Sequence, residues 1–231
     1  MKTIYSKACL RTLVAAAISA VATFNAHAGF FIPKDTTMIM GMISPTASMT
    51  ETSYGVTRDT SVALGVSTMT NAARSYRWQM VHAQATKLVG RLFNEDGIGN
   101  AYVFAGPLAA RAVETTGYGR DFDGTRYGVH GGVWLDYETR RYYGRASWHG
   151  YKTSAFAWNE TVAQAMVAPY LADYEDVATF VGVQAKRRTN EPQTEVTPYL
   201  RLFKKTWWVD VGMSVNRAHR KDFFVNVMHT F

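Results

Sequence analysis

The chain has 231 residues, 47% of them hydrophobic, with 25 Lys and Arg against 18 Asp and Glu and a single cysteine. A lone cysteine excludes an internal disulfide framework and any cysteine-built metal centre. The formal charge of +7 is scattered, with no basic run longer than Lys186-Arg187-Arg188, which argues against a nucleic-acid partner.

In chain order, the first segment has three parts. Lys2, Lys7 and Arg11 form a basic start without an acidic residue. Leu13 to Phe24 is a short apolar core, and Ala26-His27-Ala28 presents small residues on either side of a cut before Gly29. This is the pattern of a secretory signal peptide over 1–28, followed by one domain over 29–231. The apolar core is too short to cross ~30 Å of hydrocarbon as a helix. Cys9 precedes that core, in the wrong place for a lipid anchor, and leaves with the leader. So do three cationic side chains, reducing the charge by three.

From residue 36 onward the pattern has a period of two. Candidate strands run over 36–44, 48–58, 60–69, 75–91, 100–113, 125–138, 139–151, 157–171, 174–187, 194–204, 205–216 and 221–231. The first three could merge, giving ten to twelve. The fourth could also be read as a helix from residue 71. Tyr76, Trp78, Met80 and His82 alternate, however, and its neighbours are strands. In the eleventh, Trp207, Val209, Val211 and Met213 oppose Trp208, Asp210, Gly212 and Ser214. In the sixth, Tyr127, Val129, Val133, Leu135 and Tyr137 oppose Arg126, His130, Trp134, Asp136 and Glu138.

A soluble sandwich would bury the apolar faces between two sheets. A transmembrane barrel turns them toward lipid. Strand length favours the barrel, and so do charges on the second face of strand after strand. Tyrosines and tryptophans near strand ends, such as Tyr127, Tyr142, Trp148, Tyr170, Tyr174 and Trp207, also suit the headgroup level. The fold expected is therefore all-β, a closed antiparallel transmembrane barrel of 10–12 strands.

The last strand sets Phe223, Val225, Val227, His229 and Phe231 on one face. It resembles the terminal strand of Gram-negative outer-membrane β-barrel proteins, in which a final phenylalanine after alternating apolar residues is a sorting signal; His229 departs from the apolar preference. The resemblance implies an outer-membrane location, contact with outer-membrane lipid, and handling by periplasmic chaperones and the barrel-assembly machinery. The segment "TEVTPYLRLFKKTWWVDVGMS" also resembles a family of small barrels associated with bacterial metal-handling gene neighbourhoods.

Within such a barrel, alternation points Arg126, His130, Asp136 and Glu138 into the lumen, with Arg145 and His149 on the adjacent strand. Asp176, Lys186, Arg201 and Asp210 share the inward face of later strands. A narrow barrel fills its interior, and buried charges need partners, so these residues read first as an electrostatic plug. A solute- or ion-selecting constriction is the next reading and catalysis the last. No Gly-x-Ser-x-Gly elbow is present, though Ser147 and His149 share a face. "HGGVW" reads as close strand packing. Met38, Met40 and Met42 share one face of the first strand; thioethers suit soft ions such as Cu(I), and the plain alternative is contact with lipid. No cofactor is expected. The function expected is a membrane barrel with a polar, largely filled lumen, structural or passing small solutes or ions. The alternatives are a copper-type membrane component using the methionine face and a membrane-embedded hydrolase.

Overall fold

The computed structural model describes residues 32–70, 76–115, 124–173, 175–191, 193–216 and 222–231. The expected leader lies outside these, as do Tyr174 and His219. Twelve strands follow one another: β1 (Thr37–Ile43), β2 (Ala47–Gly55), β3 (Thr60–Thr70), β4 (Tyr76–Phe93), β5 (Gly97–Thr115), β6 (Thr125–Thr139), β7 (Tyr142–Thr153), β8 (Ala157–Val167), β9 (Ala178–Arg188), β10 (Glu195–Lys204), β11 (Trp207–Met213) and β12 (Phe223–Thr230). Each pairs antiparallel with its chain neighbours, and β12 returns to β1 to close the barrel. The seam is completed by the last residue. Thr37 N–H donates to the Phe231 carbonyl at 2.8 Å, and Phe231 N–H donates to the Thr37 carbonyl at 2.9 Å. Closure leaves no sheet edge unpaired.

All twelve expected strands are present, including the fourth, so the helical alternative for residues beyond 75 falls. The ninth starts later than expected, at Ala178, and the eighth stops at Val167. Ala168 N–H still donates to the Arg141 carbonyl at 2.8 Å. Pro169 then has no N–H to continue the ladder.

The two faces divide by chemistry. Leu64, Val66, Val81, Val129 and Leu135 point outward, each more than half exposed. Between them Glu51, Gln84, His130, Asp136, Arg201 and Asp210 point inward and are buried. Tyr127, Tyr142 and Trp207 stand exposed on the outer surface at strand ends.

Two glycines admit rings into the interior. A Cβ at Gly65 would run into the His82 imidazole, and one at Gly132 would come within 2.7 Å of Phe104 Cζ and closer still to the Trp148 carbonyl. The second accounts for "HGGVW" as close packing.

The two barrel ends differ. One carries tight connections at 56–59, 94–96, 140–141 and 205–206, a longer one at 168–177, and the ends of the seam strands. This is the turn end. At the opposite, loop end lie the ends of β1 and β2, β3 and β4, β5 and β6, β7 and β8, β9 and β10, and β11 and β12 that follow one another in the chain.

Candidate functional site

The interior holds a cavity of about 260 Å³. Its lining runs from Ser44 and Thr46 at the loop end to Met38 and Trp208 near the turn end. There Met38, Trp208 and Met228 pack with Ile32, with Met40 and Phe203 against them, and fill that part of the lumen.

One wall of the cavity is ionic. Arg201 of β10 gives Nε and Nη2 to the two oxygens of Asp210, its register partner on β11, at 2.7 and 3.0 Å. The Trp208 ring lies 3.4 Å from the Arg201 guanidinium carbon, and the Trp208 indole N–H donates to the same carboxylate. The arrangement recurs on β6 and β7. Arg145 faces Asp136 in register, sits 3.4 Å from the Trp134 ring, and Trp134 N–H donates to Asp136 at 2.8 Å. Here the carboxylate takes its second bond from Asn100 Nδ2 at 2.7 Å, while Arg145 donates to Gln164 and Ser147, each at 3.3 Å. The shared signature is Trp-x-Asp with an arginine across the strand pair. Nearer the loop end, Arg188 binds Glu160 at 2.6 Å and Glu191 at 3.2 Å, and Lys186 binds Glu195 at 2.7 Å. A buried charge without a partner would be costly, so this mutual pairing is what lets the wall exist.

Beside it runs a chain of rings. His130 Nε2 lies 2.9 Å from the Ala83 carbonyl, which can only accept. That puts a proton on Nε2, and in the neutral imidazole Nδ1 is then an acceptor. His149 Nε2, 3.0 Å away, must then donate, and His149 Nδ1 accepts from the Tyr151 hydroxyl at 2.9 Å. Trp158 stacks on Tyr151 with centroids 4.1 Å apart. His82 meets His130 edge-on at 5.0 Å and bonds Glu51 at 3.1 Å, and Ser53 donates to the other Glu51 oxygen at 3.0 Å.

The facing wall is thioether. Met38, Met40 and Met42 of β1 line the cavity together with Met49, Met69, Met80 and Met228 from β2, β3, β4 and β12. Met40 is the register partner of Met228, and Met42 of Met49. The alternative in which Met38, Met40 and Met42 touch lipid is therefore corrected: the outward residues of β1 are Ile39, Gly41 and Ile43.

Of the other residues singled out from sequence, His130, Asp136, Arg145, His149, Lys186, Arg201 and Asp210 lie on the inward face. They do not form one cluster: His130 and His149 bond each other, whereas Asp136 belongs to the Trp134 and Asn100 group. Arg126 and Glu138 are half-buried at opposite ends of β6. Asp176 is a correction: it is exposed in the connection before β9, because the strand starts only at Ala178. On β12, Phe223 and Val227 are exposed on the outer face. His229 lies on the same side, between Trp207 at 4.1 Å and Phe231 at 5.5 Å, among aromatic rings at the barrel end. Val225 completes that face. Both ring nitrogens of His149 are engaged with Tyr151 and His130, so none is left to activate Ser147.

No family model matches the chain, and no curated protein matches it. Among solved structures, a KdgM porin aligns over 85% of this chain and 99% of its own, at 10% identity and a TM-score of 0.46. The translocator domain of the autotransporter NalP from Neisseria meningitidis aligns over 84% and 85%, at 13% identity and a TM-score of 0.41. OmpF of Salmonella typhi aligns over 85% and 96%, at 9% identity and a TM-score of 0.30. These are likenesses of barrel architecture. None of them bears on metal handling.

Proposed function

We propose that this chain is an integral outer-membrane barrel whose lumen is a narrow, ligand-sized passage for small solutes or ions rather than a wide pore. The observation that carries the reading is the pairing of an apolar exterior with an interior of ion pairs and thioethers around a cavity of about 260 Å³. In hydrocarbon an outward apolar face is at low free energy, and a sheet satisfies its backbone there only when it is closed. Outer-membrane barrels have short periplasmic turns and longer external loops. On that rule the turn end, with Thr37 and Phe231, faces the periplasm.

The packed group of Met38, Trp208, Met228 and Ile32 restricts flow at the turn end. In planar bilayers the refolded protein is expected to give a small unitary conductance. Met38→Ala with Trp208→Ala is expected to raise it severalfold. A large, steady conductance from the unaltered protein would contradict a restricted lumen.

The partners in this reading are outer-membrane lipid, periplasmic chaperones and the barrel-assembly machinery. The last of these would read the outer face of β12, from Phe223 and Val225 through Val227 and His229 to Phe231.

A further inference from the structure

The methionines of this barrel are distributed by face. On β1, β2, β3 and β12 every large aliphatic side chain that points inward is a methionine. The outward apolar positions of β1, β3 and β12 carry Ile39, Ile43, Val62, Leu64, Val66 and Val227. If filling volume were the only need, leucine or isoleucine would serve inside as they do outside, with a smaller loss of side-chain freedom. What methionine adds is a thioether sulfur with lone pairs, on an unbranched chain that can turn it toward a ligand.

The placement of these methionines along the strands is also ordered. Met42, Met40 and Met38 descend one face of β1 from the loop end to the turn end. Met49 stands directly across from Met42 on β2, and Met228 directly across from Met40 on β12. Cross-strand partners hold their Cβ atoms about 5 Å apart, within reach of two methionine side chains turned to a common point. Glu51, across from Met40 on the other side, carries a carboxylate bonded to His82.

We infer that the thioether wall, centred on Met40, Met42, Met49 and Met228, is a binding site for a soft monovalent cation of the Cu(I) or Ag(I) type. Thioethers select such ions over Zn(II), which prefers imidazole, carboxylate and thiolate. Linear and trigonal coordination are natural for these ions, so two or three of the sulfurs complete a site. Met38 continues the line toward the turn end, and successive moderate sites are what let an ion both bind and leave. Binding involves no change of oxidation state, so Ag(I) serves as a redox-inert probe. The inference rests on the passage proposed above, whose lining includes Ser44 and Thr46 at the loop end.

The test is Ag(I) titration of refolded protein in chloride-free detergent solution, followed by calorimetry and by the methyl signals of ¹³C-methyl-methionine. Saturable binding is expected, with Zn(II) unable to compete. The methyl signals of Met40, Met42, Met49 and Met228 should shift while outward-facing Met213 stays fixed. The variant carrying Met40→Leu, Met42→Leu and Met49→Leu is expected to bind roughly tenfold more weakly or worse, as a soft ion does on losing soft ligands. Met42→Leu alone, at a residue lining the open cavity, provides a milder change if the triple variant fails to fold, and weaker binding is expected from it too. No binding by folded wild type, unchanged affinity in folded Met42→Leu, or shifts confined to Met213 would each overturn the inference. Binding is measured without flux, so the two readings fail separately. Methionine-dependent binding without bilayer conductance removes only the passage, and conductance without binding removes only the metal site.

Discussion

Arg201 and Asp210 form the most deeply buried ion pair among the described residues, with side chains 2% and 5% exposed. Removing one partner leaves the other charged, buried and unpaired. Asp210→Ala is therefore expected to lower unfolding free energy by ~3–5 kcal/mol, read from urea midpoints in lipid vesicles. Arg201→Met combined with Asp210→Leu removes both charges and should recover most of that loss. Gly65→Ala places a methyl where the His82 ring now lies. His82 must then move off Glu51, and an imidazole ¹⁵N spectrum should show its hydrogen bond lost; an unchanged His82 signal would mean that the ring stays and the backbone at residue 65 gives way instead. These particulars were only half legible in the sequence. Alternation put Asp136, Arg145, Arg201 and Asp210 on inward faces. Which arginine meets which carboxylate depends on register, which no single strand encodes. The repeated Trp-x-Asp at 134–136 and 208–210 is a signal in the sequence for this pairing. Glu51, His82, Tyr151, Glu160 and Arg188 are not singled out by the sequence, because each is ordinary in its own strand and acquires meaning only through its contacts with neighbouring side chains and strands. The methionines were ambiguous for a related reason. Both faces of β1 are apolar, and hydrophobicity alone does not say which side is in.

At the scale of an element, β12 does two things. Its outer side chains continue the apolar surface, and Phe231, the residue after it, closes the seam through both backbone bonds to Thr37. Deleting Phe231 removes that pair and is expected to reduce assembled barrel, seen as loss of the heat-modifiable band on gels, with the unfolded fraction rising. Twelve strand segments were readable because the pleat imposes a period of two whatever the context, though whether the first three merge was left open. The end of β8 was not, because the Tyr170 and Leu171 that follow Pro169 continue the apolar pattern after the hydrogen bonding has stopped. The β2–β3 turn offers a check at one edge. Asp59 accepts a hydrogen bond from Lys87 at 2.6 Å and others from Thr57 and Thr60, which together hold its carboxyl down to about 2. A depressed carboxyl favours the folded turn above the ordinary carboxylate range and loses that contribution as pH falls through about 2. Lys87→Ala should move the Asp59 titration upward in a ¹³C carboxyl NMR experiment.

For the whole molecule, the division between faces is what turns twelve strands into a membrane object. A closed barrel satisfies its backbone anywhere, but this one puts branched aliphatics outside and charges, imidazoles and thioethers inside. On the function proposed above, an interior so rich in paired charges belongs to a narrow passage rather than a wide pore. The most direct test places single spin labels at Leu64, Val66 and Val81 on the outer surface and at Ser67 and Gln84 inside, in protein reconstituted into vesicles. Collisions with oxygen, which concentrates in acyl chains, should exceed those with a water-soluble nickel chelate at the first three positions and not at the last two. If the chelate reached Leu64, Val66 and Val81 as readily as oxygen did, or the protein stayed monodisperse in buffer without detergent, the outer face would be in water and the membrane assignment would be wrong.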